Sequence, residues 1–61
     1  MTVGKIRKIR DTDPAFMGMA CVKGMEKRLV PIISIGQKFV TVAIAGYGSI
    51  RVPAEDVLNV V

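Results

Sequence analysis

The side chains able to do chemistry are few, and most of them are cations. The chain has no histidine and one cysteine, Cys21. It therefore carries no side chain whose ordinary pKa lies near neutrality and no thiol–imidazole pair for nucleophilic attack. The close carboxylate pairs are Asp11 with Asp13 and Glu55 with Asp56. Both stand in turn-forming surroundings, where short acidic side chains accept backbone N–H bonds and start turns. One thiol without an imidazole does not make a structural zinc site. The expectation is a non-catalytic protein with no metal and no cofactor, in which Cys21 is a buried, inert thiol.

The cations say more. Nine Lys and Arg against five Asp and Glu give a net charge of +4. Such a balance favours anionic partners, nucleic acid first. Lys5, Arg7, Lys8 and Arg10 crowd the N-terminal segment, while Lys27 and Arg28 follow Lys23 around a later turn. In an extended strand Lys5 and Arg7 share one face, and Lys8 and Arg10 the other. Side chains of this kind meet phosphates as point charges or forks and give salt-sensitive binding. Platforms for stacked bases are sparse, since Phe16, Phe39 and Tyr47 are the only aromatics. The same charges could instead guard strand edges against aggregation.

A second candidate surface is apolar. Residues 11–19 read DTDPAFMGM, a turn-like stretch that nevertheless carries Phe16, Met17 and Met19. Phe16 is expected to fold back and close one end of a small core. Met17 and Met19, together with Met25 and an exposed sheet face around Phe39, could grip a protein, because methionine adapts to varied partners.

The elements that must position these residues read as β-structure. Val, Ile and Thr are frequent, Gly and Pro punctuate at short intervals, and no long apolar repeat of helical period is present. In QKFVTVAIAG (37–46), Val40, Val42 and Ile44 share one face while Phe39, Thr41, Ala43 and Ala45 share the other. GYGSIRVP (46–53) is a glycine turn entering a strand with Ile50 and Val52 inward and Arg51 outward. Gly46 and Gly48 open onto no helix, so they form a hairpin and not a phosphate cradle. PAED (53–56) suits one 3₁₀ turn, and VLNVV (57–61) a closing strand. Upstream, GMACVKG (18–24) and MEKRLVPIISI (25–35) read as strands, with Pro31 marking an edge or a bulge. VGKIRKIR (3–10) reads as a strand too, but Ile6 and Ile9 stand three apart, so a bulge is needed to turn both inward. The whole is expected to be all-β: one domain over residues 1–61, a five-stranded, partly open SH3-like barrel with a 3₁₀ turn before the last strand and no true α-helix.

At this point the stretch GKIRKIRDTDPAFMGMACVKG resembles the opening of a KOW-type SH3-like domain. It has a basic first strand, a loop with Pro14 and Phe16, and then Gly18 before an apolar strand. GSIRVPAEDVLNVV resembles the closing strand, 3₁₀ turn and last strand of SH3-like domains. Where such domains carry a further glycine, Ala20 and Cys21 stand here. The resemblance implies a module that contacts nucleic acid or a nucleoprotein complex, through Lys5, Arg7, Lys8, Arg10, Lys27 and Arg28. The alternative is a protein-binding adaptor or inhibitor working through Phe16, Met17, Met19 and Phe39. The small SH3-like dihydrofolate reductase is similar in size, but its Val-Gln-Ile-Tyr run is absent, Gly48 to Arg51 standing in that place.

Size bears on assembly. A chain of 61 residues buries only about 60% of its unfolded surface and is marginal unless supplemented. With disulfide and metal set aside, a homo-oligomer or a larger protein partner is expected. No run is long and apolar enough to span a membrane, and acids and Pro14 replace the apolar stretch of a signal peptide. A cytoplasmic location is expected.

Overall fold

The computed structural model describes all 61 residues. It is mostly β: five antiparallel strands, one short helix and a 3₁₀ turn, in a sheet that does not close on itself. Helix α1 (Val3–Thr12) leads into strands β1 (Met19–Val22), β2 (Val30–Ile35), β3 (Phe39–Ile44) and β4 (Gly48–Pro53). The 3₁₀ turn Ala54–Asp56 then precedes β5 (Val57–Val60). The spatial order β4-β3-β2-β1-β5 leaves β4 and β5 at the two edges.

The N-terminal strand expected over residues 3–10 is a helix, and the expectation of no α-helix is corrected. Its cause is legible in the residues. Thr2 Oγ1 accepts a hydrogen bond from the Lys5 N–H at 3.1 Å, capping the first turn. The three-residue steps from Val3 to Ile6 to Ile9, which defeat alternation in a strand, make one stripe on a helix. Val3 and Ile6 along that stripe are buried, and Ile9 packs beside them. The helix stops at Asp13, whose N–H donates to the Ile9 carbonyl and whose Oδ1 accepts from the Ala15 N–H. Pro14 then prevents continuation. Ten residues are too few for a helix to persist alone in water. Packing against the sheet holds it.

That packing builds the core. Val40 and Val42 of β3, Val22 of β1 and Val57 of β5 are fully enclosed with Ile6. Val30, Val52, Ala20, Ala54 and Val60 complete the cluster. All are β-branched or small, which suits a thin layer between a short helix and a curved sheet. Phe16 packs against the same cluster, as its closing role required.

The later elements follow the sequence closely. Val42 faces Ile50 and Val40 faces Val52 across the β3–β4 ladder, with Thr41 opposite Arg51 on the other face. Of the two residues expected inward Val52 is buried, whereas Ile50, on the edge strand, stays 39% exposed. Gly46 and Gly48 adopt φ values of 84° and 86°, where a side chain would be strained. The 3₁₀ turn stands where PAED placed it. The register of β2 slips between Ile32 and Ser34, so the bulge expected near Pro31 is present. The edge position is not: β2 lies between β1 and β3. Cys21 is half-buried on the outer face opposite Asn59, not enclosed in the core.

Candidate nucleic-acid interface

The cations proposed from sequence separate into groups once the helix forms. Arg7 is half-buried, and its guanidinium donates to the carbonyls of Ile35 at 3.2 Å and Gly36 at 2.9 Å. It latches the helix to the turn joining β2 to β3. Arg10 forms an ion pair with Asp11 at 2.9 Å. The carboxylate beside it raises the Arg10 pKa through that hydrogen bond and through charge attraction. Both partners are largely exposed, so the pair adds little stability. Lys5 and Lys8 remain as exposed cations on the helix, without a side-chain bond. Lys27 and Arg28 stand exposed on the β1–β2 connection.

The apolar candidates also part. Phe16 turns to the core, Met17 projects into solvent with 78% of its surface exposed, and Met19 lies on the outer sheet face opposite Pro31. They do not form one loop patch.

A different constellation lies on the outer face of the β3–β4 hairpin. A depression of about 470 Å³ is lined by Ser34, Gln37, Lys38, Phe39, Thr41 and Arg51 with Gly36. The hairpin register explains the assembly. Thr41 pairs with Arg51 and Phe39 with Pro53, so Phe39 and Arg51 are diagonal neighbours on one face. The Arg51 Cζ lies 5.3 Å from the centre of the Phe39 ring, within range of a cation–π attraction. Phe39 remains 42% exposed, so ring surface is left for a ligand. The turn that presents Lys38 is closed by the Gly36 N–H donating to the Phe39 carbonyl at 2.8 Å. Arg7 holds that turn from the helix side.

Chemically the depression offers a π-surface, two cations and two hydroxyls within one hairpin and the neighbouring strand. Of these residues the sequence offers Phe39 as a protein contact and as one of three sparse aromatics, and puts Thr41 and Arg51 on strand faces without joining them to it. Arg51 and Lys38 stand alone in the sequence, away from any basic run. Strand alternation, which places Phe39, Thr41 and Arg51 on one face, was the signal that could have joined them. No group of three His, Cys, Asp or Glu side chains is arranged to hold a metal, and no helix is long and apolar enough to cross a membrane. Set against known proteins, the chain matches no family model, no curated protein and no solved structure.

Proposed function

We propose that the chain is a non-catalytic, SH3-like module that binds single-stranded nucleic acid or a nucleoprotein complex. Its contact surface is the outer face of the β3–β4 hairpin. The observation that carries this reading is the half-exposed Phe39 ring beside Arg51, with Lys38, Ser34 and Thr41 around it. A base stacks on the ring, while Arg51 and Lys38 meet the flanking phosphates and the hydroxyls bond to sugar or phosphate oxygens. Lys5 and Lys8 on the helix, and Lys27 and Arg28 on the β1–β2 connection, add longer-range attraction in this reading. Arg7 acts mainly by fixing the Gly36 turn. The barrel assignment is supported by the strand order, the bulge that lets β2 serve both halves of the sheet, and the 3₁₀ turn before β5.

Self-association is part of the proposal. Both β4 and β5 offer an unpaired edge, and Ile50 on β4 and Leu58 on β5 are exposed beside those edges. Pairing of one chain's β4 with another's β5 would satisfy both edges and repeat head to tail.

Fluorescence anisotropy with a labelled oligothymidylate or oligouridylate tests the binding reading. With about four phosphates engaged, the logarithm of affinity should fall with the logarithm of salt with a slope near −3. Binding that ignores salt, or no binding at low salt, overturns it. Sedimentation equilibrium tests the assembly: a monomer at micromolar concentration would refute it.

A further inference from the structure

A second surface has different chemistry. The β1–β2 connection and the end of β3 enclose a groove of about 380 Å³, walled by Met25, Leu29, Pro31, Ala43 and Ile44. It shares no residue with the depression around Phe39. The walls are aliphatic, with no aromatic ring to stack a base, and Leu29 is 46% exposed. Lys27 and Arg28 stand on the rim. The one acid there, Glu26, remains a carboxylate and accepts from the Gly24 N–H at 2.9 Å, and the two cations outnumber it, so the rim is positive on balance.

We propose that this groove docks an extended segment of a partner protein in which aliphatic side chains alternate with carboxylates. Aliphatic side chains fill the groove between Leu29 and Ala43, and carboxylates pair with Arg28 and Lys27. Alternation in an extended segment delivers the two chemistries to opposite sides at a two-residue period. Met25 supplies a wall that adapts to side chains of different shape. A second copy of this chain is a poor occupant of the groove, because its acids, Asp11, Asp13, Glu26, Glu55 and Asp56, nowhere alternate with aliphatic side chains. A nucleic acid would meet the cations but leave the aliphatic wall unused.

The test is a two-dimensional NMR titration of the full chain with a short end-blocked peptide of alternating glutamate and leucine. Two further peptides, lysine–leucine and glutamate–serine, separate charge from burial, and oligothymidylate serves as the nucleic-acid probe. The expected result is shifts confined to residues 24–31 and 43–45, with the glutamate–leucine peptide binding about tenfold or more tighter than either other peptide. Lys27→Glu with Arg28→Glu should invert the preference towards lysine–leucine, and both side chains are exposed, so the spectrum should stay dispersed. Equal binding of the three peptides, no binding of any, shifts centred elsewhere, or oligothymidylate shifting the aliphatic wall at Leu29, Ala43 and Ile44 as the peptide does would each overturn the proposal. Oligothymidylate shifts around Phe39 leave the groove result readable, because the two surfaces have no residue in common.

Discussion

The two faces of β3 differ by one residue step and by nearly everything else. On the inner face Val40 and Val42 are fully enclosed in the same core cluster as Ile6 of the helix. On the outer face Phe39, Thr41 and Ala43 are half-exposed or open and stand across from Pro53, Arg51 and Ser49. Both faces of this strand are mostly apolar in sequence, a pattern that suits cover on both sides or a second copy against one of them. The chain instead covers one face with its own helix and decorates the other with a cation, a ring and hydroxyls. On the proposed function, the period of two separates stability from recognition along a single strand. Changes on the inner side should cost folding, and changes on the outer side should cost binding.

The largest break is expected at Ile6, which is fully buried. Ile6→Ala should destabilise by about 2–5 kcal/mol, the range for cavity-forming core substitutions. A domain this small has only a few kcal/mol in hand, roughly 0.05–0.15 per residue. Urea denaturation followed by circular dichroism should show a substantial unfolded fraction even without denaturant. A loss below about 1 kcal/mol would mean that the helix is not part of the core.

Arg7 sits on the boundary between the two roles. Its two bonds to the Ile35 and Gly36 carbonyls are charge-assisted but only partly shielded, so Arg7→Ala should cost about 1–2 kcal/mol. Arg7→Lys should recover only part, because an ammonium cannot span both carbonyls as a planar fork does. Oligonucleotide affinity should fall along with stability, since the turn carrying Lys38 loses its support. Unchanged denaturation midpoints in both variants would remove Arg7 as the link between helix and site.

On the outer face the effects should reverse. Phe39→Ala should change stability by less than about 1 kcal/mol, yet weaken oligonucleotide binding by about 1–3 kcal/mol, the worth of one stacked base. Arg51→Ala should reduce the salt slope by about 0.7, one phosphate contact on a single strand. If Phe39→Ala unfolds the protein while binding per folded molecule is unaltered, the ring is structural and the functional reading fails.

The sequence was most legible where period and turn chemistry agreed. Val40 and Val42, the positive-φ glycines at 46 and 48, and the PAED turn left few alternatives. It misled where intrinsic preference and pattern conflicted. Val3, Ile6 and Ile9 are β-branched and favour strands, but their spacing and the Thr2 cap favour a helix. The pattern won because the open inner face of the sheet required a cover. The outer-face site was hidden for a different reason: Lys38, Phe39 and Arg51 meet only through the hairpin register, and a search for basic runs looks along the chain instead of across it.

The smallest expected effect concerns the rim of the aliphatic groove. The bond from the Gly24 N–H to Glu26 holds that carboxyl below its ordinary value. A carboxyl depressed in the folded state contributes stability above its unfolded pKa, about 4.3, and loses it as pH falls through the lower folded value. Glu26→Gln keeps an oxygen acceptor but removes the charge, so it should abolish only the pH-dependent part. Urea midpoints of the two proteins should therefore differ by a small constant amount above about pH 5 and converge as pH drops below about 4. The group is fully exposed, which keeps the difference slight and makes it sensitive to salt. A gap that widens on acidification would show that the carboxylate opposes the fold, and the Gly24 turn would then need another source of order.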